Sequence, residues 1–306
     1  MSTETTKTLT ITHDLTGEDF WDEFTARQVL PPDAVPTHLD GLNSICRDDG
    51  GGIGLAHGWF VTIGGNPGFG KSAMALNLTS AALRAGESVG YISLEMSRWQ
   101  LAARFYSIHS GVPVSHLERG TFSPTLAESA RDHIATLPPC YVPDEISGQW
   151  TDVIAFVYEC YAKGCRWFVL DYVQLVQLGD EESINRAITE IVTNLRAWGV
   201  NNASTIINLS QFNRQTSGEY GLRPRPQGLW GGMILEAASD LVLLLDHSRY
   251  ERTGHEAKSW LLAAKNKHGP TGEIPIRWDY RTLQMTEGMP DEEDGWPKKN
   301  TGSNSR

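Results

Sequence analysis

Short runs of wholly apolar residues alternate along this chain with longer stretches in which apolar residues recur every three or four positions. The apolar runs predict strands over residues 59–64, 89–94, 167–170, 205–209 and 241–245. The periodic stretches predict helices over residues 71–84, 98–110, 125–136, 151–162 and 184–198. Strands that are apolar throughout and separated by helices are typical of parallel sheets covered on both faces. The sequence therefore predicts an α/β fold with a mostly parallel, twisted sheet flanked by helices.

The alternating pattern divides the chain into three parts. Residues 36–286 carry the pattern and form the predicted domain, while residues 287–306 are polar and predict a disordered tail. Residues 1–35 form an N-terminal extension, in which residues 17–28 space their aromatic side chains as on a short amphipathic helix. That helix either packs on its own domain or links it to a neighbouring subunit, and the sequence favours neither. Loops are predicted ahead of the first core strand, at residues 31–32 and 48–52.

Composition changes this picture little. The formal net charge of −11 over 306 residues argues against a surface that is basic throughout, although a local basic loop could still contact DNA. The four cysteines form no CxxC pair, so we expect buried free thiols in a reducing cytosol. The N-terminus lacks a signal pattern, and no apolar run approaches the ~20 residues that span a bilayer. We therefore expect a cytoplasmic protein without a membrane partner.

A glycine-rich segment between the first predicted strand and helix matches the phosphate-binding pattern GxxxxGK[ST]. Its glycines allow the backbone N–H groups to surround a triphosphate, and the following helix presents its positive end to the same anion. Lys71 would reach the β- and γ-phosphates, and the Ser72 hydroxyl would hold Mg²⁺. The alternative is a glycine-rich turn without a ligand. The predicted ATP-binding residues are Gly65, Asn66, Pro67, Gly68, Phe69, Gly70, Lys71, Ser72 and Ala73.

Two acidic residues follow predicted strands. Glu95 follows the strand at 89–94, and Asp171 ends the apolar run WFVLD, which is the Walker B pattern. Ligands of open parallel sheets bind beyond the carboxyl ends of the strands, so both acids should lie beside the phosphate loop. Asp171 would hold Mg²⁺ with Ser72, and Glu95 would orient or deprotonate the attacking water. Either acid could instead cap a helix or lie on the surface.

The order of five segments resembles the C-terminal ATPase domain of DnaB-like replicative helicases (helicase superfamily 4). The segments are GGNPGFGKS, YISLEMSRWQLAAR, FVLDYVQLV, INLSQFNR and AAKNKHGPTGE. The resemblance implies a RecA-like P-loop NTPase fold, a catalytic role for Glu95 and a metal-associated role for Asp171. It also implies an arginine near the phosphates at Arg104 and, at Gln211, a glutamine that links the γ-phosphate to a DNA-binding loop. Without the resemblance, we would interpret Arg104 as a charged residue on the surface of a helix and Gln211 as a hydrogen-bonding residue at the end of a strand.

The sequence departs from that family at two places. The family carries a Lys-x-Arg pair whose arginine reaches the ATP of the adjacent subunit, whereas this chain has Lys265 and Lys267. A lysine is a mobile point charge without the planar fork of arginine, so turnover should be slower. The DNA-tracking loop of the family has a DLRESG-like phrase, whereas this chain reads GLWGG at residues 228–232. The residues that remain for DNA contact are Arg214, Arg223, Arg225 and Trp230, the last of which could equally pack in the core or an interface.

The resemblance implies an ATP-dependent helicase that assembles head-to-tail, as a hexameric ring, and translocates on single-stranded DNA. Its expected partners are a primase, a polymerase or a loader. Because the sequence shows no N-terminal helical domain and no primase segment, we expect a small stand-alone helicase in the bacterial cytosol, of the sort that phages encode. The alternative is a RecA-like annealing or recombination ATPase without unwinding activity, which the lysine pair favours slightly. A KaiC-like regulatory ATPase without a DNA role fits the arginine-bearing loop less well.

Overall fold

A computed structural model describes residues 34–46, 54–178, 184–213, 223–253 and 256–288. Its helices are α1 Asp40–Ile45, α2 Lys71–Arg84, α3 Arg98–Ser110, α4 Val114–Arg119, α5 Pro124–Ile134, α6 Trp150–Ala162, α7 Ile184–Asn201 and α8 Gly232–Ala238. Its strands are β1 Ala34–Val35, β2 Leu55–Ala56, β3 Phe60–Gly65, β4 Val89–Ser93, β5 Cys140–Tyr141, β6 Trp167–Asp171, β7 Thr205–Gln211, β8 Leu241–Thr253, β9 Glu256–Asn266, β10 Gly272–Asp279 and β11 Gln284–Glu287. Several predictions lie outside the described residues: the helix at 17–28, the loops at 31–32 and 48–52, Arg214, and the tail from residue 289 onward.

The main sheet has nine strands in the order β11-β10-β9-β8-β3-β7-β6-β4-β5. The six strands from β8 to β5 run parallel to one another, and β9, β10 and β11 continue the sheet antiparallel. All five strands predicted from apolar runs are neighbours within the parallel part. The mostly parallel sheet is therefore confirmed, and the carboxyl ends of β3, β4, β6 and β7 meet at one edge.

The antiparallel strands β9, β10 and β11 were not predicted as strands. In β10 buried and half-buried positions alternate, because one face of the strand packs on the core and the other is partly open. Such a strand mixes polar and apolar residues and has no continuous apolar run. The six-residue helix α4 was also missed, and it contains no buried residue.

The core lies on both faces of the sheet. One buried cluster joins the sheet to α2 and α3 and includes Trp278 and Met285 from the antiparallel strands. The other joins the opposite face to α6 and α7. Helix α2 is buried along nearly its whole length, which fixes the loop that precedes it against the sheet.

The predictions made from composition can be compared with the described residues. The cysteine thiols there are all free, and Cys46, Cys160 and Cys165 are buried as expected, whereas Cys140 is half-buried. Within the described ranges no helix combines the length and the apolar character needed to cross a membrane.

Candidate active site

The phosphate loop connects the end of β3 to the first residue of α2. Gly68 and Gly70 have φ angles of 78° and 85°, in the left-handed region that L side chains rarely adopt. A Cβ on Gly68 would meet no atom within 4 Å, so the loop leaves open space at that position. Gly70 begins α2 without a side-chain cap, and its own carbonyl already accepts the amide of Met74 at 2.8 Å. The first amides of α2 therefore face a position suited to an anion.

Lys71 lies within this loop rather than in solvent. Its side chain is buried, and Nζ donates to the carbonyl oxygen of Asn66 at 3.1 Å. Burial lowers the pKa of Lys71, while the nearby carboxylates of Asp171 and Glu95 oppose that shift. The ammonium thus stands between the loop backbone and the two predicted acids.

Asp171 is fully buried at the carboxyl end of β6. Burial raises the pKa of its carboxyl to about 6, and the negative charge of Glu95 adds to the rise. Hydrogen bonds from Ser72 and Tyr91 and the charge of Lys71 act in the opposite direction, with the Tyr91 hydroxyl 3.4 Å from Oδ2. The second oxygen, Oδ1, is buried without a hydrogen-bond partner among the described residues.

This arrangement fits Mg²⁺. Asp171 is a buried carboxylate with an unused oxygen beside the Ser72 hydroxyl, and a bound cation would offset the cost of its burial. Among the described residues no group of three or more His, Cys, Asp or Glu side chains is placed to hold a metal. One carboxylate and one hydroxyl, completed by phosphate and water oxygens, are the ligands that Mg²⁺ uses at nucleotide sites.

Most of the predicted nucleotide-site residues line one cavity of about 220 Å³, whereas Gly65, Asn66, Phe69 and Asp171 are not part of its lining. Glu95 lies at its exposed rim, two residues beyond the end of β4. Arg104 enters from α3, with Nε buried and unpartnered among the described residues. Gln211 enters from the end of β7. The lining residues are Pro67, Gly68, Gly70, Lys71, Ser72, Ala73, Glu95, Met96, Arg104, Gln211, Trp278 and Leu283.

Trp278 and Leu283 belong to this cavity although no sequence pattern indicated them. They come from β10 and from the turn before β11, far along the chain from the phosphate loop. A Cβ on Gly70 would lie 3.1 Å from Cη2 of Trp278 and 2.8 Å from Cε of Met285. The antiparallel strands therefore form a wall against which Gly70 packs. This contact becomes visible only in the folded structure, where the antiparallel strands bring Trp278 and Met285 next to the phosphate loop.

Gln211 also connects the cavity to the predicted DNA loop. Its carbonyl accepts the amide of Trp230 at 2.9 Å, and the adjacent Phe212 forms a β-bridge with Leu229. Gln174, in the DYVQL phrase, donates to the Ser210 hydroxyl at 2.7 Å and to the Trp230 carbonyl at 3.4 Å. The loop is thus attached to the strand that ends in the cavity.

The predicted DNA-contacting side chains differ in their surroundings. Trp230 is half-buried, so it is neither a core residue nor a fully exposed stacking surface. Arg225 is exposed. Arg223 forms an ion pair of 2.5 Å with Glu273 and keeps 60% of its side chain exposed, which leaves it accessible to a phosphate.

Lys265 and Lys267 lie outside the cavity. They lie at the end of β9, where Lys265 pairs with Val242 and Asn266 with Leu241. Leu241 in turn pairs with Val61 at the start of β3, so the lysines occupy the edge opposite the phosphate loop. The structure therefore does not bring them to the nucleotide site of their own chain.

Comparison with known proteins adds to this geometry. The model of the DnaB-like helicase C terminal domain family matches residues 35–287. A probable plasmid replicative DNA helicase of Chlamydia psittaci is 28% identical over 260 residues, which are 83% of this chain and 56% of that protein. The replicative DNA helicase DnaB of Geobacillus stearothermophilus is 26% identical over 252 residues, covering 78% of this chain and 53% of that protein. The chain spans about half the length of the relatives it matches.

Solved structures show the same fold at low sequence identity. One, an isolated ATPase domain, superposes with a TM-score of 0.72 at 18% identity, over 89% of this chain and 98% of that one. A DnaB-like replicative helicase, described with its interactions with primase, gives 0.72 at 19% identity over 88% of this chain and 65% of that one. A KaiC-like protein of Pyrococcus horikoshii gives 0.57 at 16% identity, over 85% of this chain and 100% of that one. These likenesses confirm the predicted RecA-like ATPase fold.

Proposed function

Since this chain belongs to the family of DnaB-like helicase C-terminal domains, we propose that it is the ATP-hydrolysing motor of a replicative helicase that translocates on single-stranded DNA. One observation carries the proposal. A single cavity is lined by the phosphate loop, Glu95 and Arg104, and Asp171 lies against Ser72 and Lys71 of that loop. Gln211 connects the cavity to the loop that carries Trp230.

The residues in and beside the cavity would have different roles in ATP hydrolysis. The amides of the glycine loop and the Lys71 ammonium would bind the β- and γ-phosphates, while Ser72 and Asp171 would hold Mg²⁺. Bound there, Mg²⁺ would neutralise phosphate charge. Arg104 would add a guanidinium, whose Nε has no partner among the described residues. These groups stabilise the charge that spreads over the phosphoryl oxygens during transfer.

Glu95 is the proposed catalytic base. Its exposed position at the rim allows water to reach it, and it lies within electrostatic reach of both Lys71 and Asp171. A carboxylate so placed can accept a proton from the water that attacks the γ-phosphate. Gln211 would sense the γ-phosphate with its amide, which can both donate and accept hydrogen bonds. Its main-chain bond to Trp230 would pass that state to the DNA loop.

The assembly and its partners follow from the same proposal. In a head-to-tail ring of six copies, each nucleotide would lie between the phosphate loop of one subunit and the lysine edge of the next. Arg223, Arg225 and Trp230 would contact single-stranded DNA through phosphates and stacking, so sequence preference should be small. The relatives named above are bacterial replication proteins, which favours a bacterial replication system with a primase, polymerase or loader as partner.

A strand-displacement assay on a forked duplex, run beside DNA-stimulated ATPase, tests this function. Lys71→Ala should reduce both activities by at least about a hundredfold, because the ammonium is lost from the phosphoryl site. Lys163→Ala is the matched control, since Lys163 is exposed and its contacts, an ion pair with Glu159 and a cation–π contact with Tyr141, lie outside the cavity. ATP-dependent unwinding that Lys71→Ala abolishes and Lys163→Ala retains is the expected result.

Two other results would contradict the proposal in different ways. Normal hydrolysis by Lys71→Ala would mean that the active site is elsewhere. DNA-stimulated hydrolysis without unwinding, across several forks and salt concentrations, would support an annealing or recombination ATPase instead. The comparisons do not favour that alternative, because the named relatives are replicative helicases.

A further inference from the structure

Three basic side chains surround one buried carboxylate at the edge of the sheet opposite the phosphate loop, and a fourth lies beside them. The carboxylate is Asp240, which immediately precedes β8. Arg196 from α7 forms an ion pair with its Oδ2, while Lys267 and His268 lie 3.5 and 3.6 Å from its Oδ1. Lys265 completes the group by donating from Nζ to the carbonyl oxygens of α8. We call these five residues the Asp240 cluster.

Asp240 is held rigidly beneath the bases. Oδ2 accepts the amide of Phe60 at 2.9 Å, and the Asp240 amide donates to the Phe60 carbonyl at 2.8 Å. The Asp240 side chain is 4% exposed, whereas Arg196, Lys267 and His268 keep 27%, 37% and 43% of their side chains exposed. His268 stacks on Trp59 with ring centroids 4.4 Å apart. The cluster therefore presents a cationic outer surface on a fixed anionic base.

The charges of the Asp240 cluster do not balance. Arg196, Lys265 and Lys267 are three cations, against Asp240 within the cluster and the nearby Glu236, whose charge acts on Lys265. The pKa of Lys267 is lowered first by burial and then by repulsion from Arg196. The pKa of Lys265 is lowered by burial, Lys267 and Arg196, with Glu236 opposing. An anion bound at the outer surface would relieve this repulsion.

The nucleotide cavity of the same chain is too far away to supply that anion. Asp240 bonds to Phe60 at the start of β3, and the phosphate loop begins after Gly65 at its end. Five residues of strand separate the two by roughly 17 Å, beyond the reach of an arginine or lysine side chain. A phosphate bound by these cations would therefore belong to another molecule.

We propose that Arg196 is a catalytic residue that acts across the subunit boundary, where it binds with Lys267 the triphosphate held by the phosphate loop of a second copy. This rests on the proposed function and refines it. The planar guanidinium can grip two phosphate oxygens, which a lysine cannot do. Arg196 thereby supplies the planar guanidinium group that Lys267 lacks. A densely charged triphosphate suits such a compact group of cations better than the evenly spaced single charges of a DNA strand.

Asp240 and Lys265 are positioning residues in this arrangement. Asp240 orients the guanidinium through an ion pair with one of its Nη atoms, which leaves other donors for phosphate. Lys265 is engaged by the C-terminal end of α8, so its ammonium is less available than that of Lys267.

Mixed oligomers test whether Arg196 acts in trans. Arg196→Lys keeps the positive charge beside Asp240, so the fold should persist, but it removes the fork. We expect its kcat for ATP to fall at least about tenfold. Arg186→Lys, the same substitution on the same helix, is the control and should leave kcat unchanged.

Complementation then gives the decisive result. An equimolar mixture of Arg196→Lys and Lys71→Ala contains boundaries at which an intact phosphate loop meets an intact Arg196. Random assembly makes about a quarter of the boundaries complete, so ATPase should rise to about a quarter of the wild-type rate. A mixture no more active than the mean of its two variants would show that Arg196 acts within its own chain. Normal hydrolysis by Arg196→Lys with weakened single-strand binding would assign the Asp240 cluster to DNA phosphate instead.

A readout independent of hydrolysis separates this inference from the proposed function. Light scattering with a non-hydrolysable ATP analogue measures association of the full chain driven by nucleotide. Arg196→Lys should require at least about tenfold more analogue for association than wild type, with unchanged binding of the analogue to the single subunit. Equal association of both proteins would overturn the inference even if the wild-type protein hydrolyses ATP and unwinds DNA. A shift confined to Arg196→Lys would support it even if unwinding were absent.

Discussion

Gln174 donates a hydrogen bond from Nε2 to the hydroxyl of Ser210 at 2.7 Å. Through this bond, and a second one of 3.4 Å to the Trp230 carbonyl, the residue joins the segment after β6 to the loop that follows β7. Gln174 thus lies between the strand that ends in Asp171 and the one that ends in Gln211. It attaches the predicted DNA loop to the strand that ends in the nucleotide cavity, and it does not itself line that cavity.

Removal of this connection should uncouple DNA binding from hydrolysis. Gln174→Ala loses hydrogen bonds with a net value of about 1 kcal/mol each and leaves Ser210 and Trp230 to rearrange. We expect the stimulation of ATPase by single-stranded DNA to fall severalfold, on the order of fivefold, with hydrolysis in the absence of DNA largely retained. Gln177→Ala is the control, because Gln177 pairs with Gln149 at an exposed site. Equal stimulation in both variants would contradict the role of Gln174.

A comparison of Gly68, in the phosphate loop, with Gly86, outside it, separates the effect of backbone strain on stability from the effect of ligand contact on ATP binding. Gly68 and Gly86 both have positive φ angles, and a Cβ on either would meet no atom within 4 Å. Gly68→Ala and Gly86→Ala should therefore cost a similar free energy of unfolding, about 1 kcal/mol. Only Gly68→Ala should weaken ATP binding, because its methyl group would occupy the space of the phosphates. Denaturant titration and binding of a fluorescent ATP analogue measure the two effects.

Gly70→Ala should destabilise the fold more than Gly68→Ala or Gly86→Ala. Its Cβ would lie 2.8 Å from Met285 and 3.1 Å from Trp278, in addition to the unfavourable φ of 85°. We expect a loss of about 2 kcal/mol or more in the free energy of unfolding. If Gly70→Ala were as stable as Gly86→Ala, the side chains of Trp278 and Met285 would have to move at little cost to make room for the added methyl group.

The buried carboxyl of Asp171 makes stability depend on pH. Its pKa is about 6 in the folded chain and about 3.9 in an unfolded chain. Between these values the unfolded chain binds fewer protons at this position, so the free energy of unfolding falls as the pH rises from about 4 to about 6. The full penalty, up to about 3 kcal/mol, is present above pH 6.

Asp171→Asn should remove that penalty. In the absence of nucleotide and Mg²⁺ we expect it to be more stable than wild type at pH 8 and equally stable near pH 4, as measured by denaturant unfolding. At the same time it should lose Mg²⁺-dependent hydrolysis, because an amide is a poor ligand for the cation. A variant less stable than wild type at pH 8 would mean that the ionised carboxylate is well stabilised by Lys71 and its other neighbours.

Lys265 and Lys267 should have different effects when substituted. Lys265→Met removes the ammonium from the carbonyls of Glu236 and Ala237 at the end of α8, at a cost of about 0.5–1 kcal/mol in the free energy of unfolding. Because α8 directly follows the Trp230 loop, we expect a higher half-saturating concentration of single-stranded DNA. Lys267→Met should instead lower kcat for ATP hydrolysis. Steady-state ATPase titrated with ATP and DNA distinguishes them, and identical effects would argue against separate roles.

The sequence by itself determined the chemistry of the cavity and the centre of the sheet. The phosphate loop is read from adjacent residues, since its geometry is local, and an acid after an apolar strand must lie at the carboxyl edge of a parallel sheet. Gly68, Lys71 and Asp171 were predicted as site residues for this reason. The five central strands could also be predicted from the sequence, because strands buried on both faces are continuous apolar runs.

Only the tertiary structure decided which distant residues meet. Trp278 reaches the phosphate loop through antiparallel strands whose mixed pattern led to no strand prediction. Arg196 is an ordinary arginine on an amphipathic helix until β8 and β9 bring Asp240 and Lys267 to it. Such contacts depend on strand order and register, which no local pattern encodes, because residues far apart in the chain contribute to one surface only after the sheet has formed.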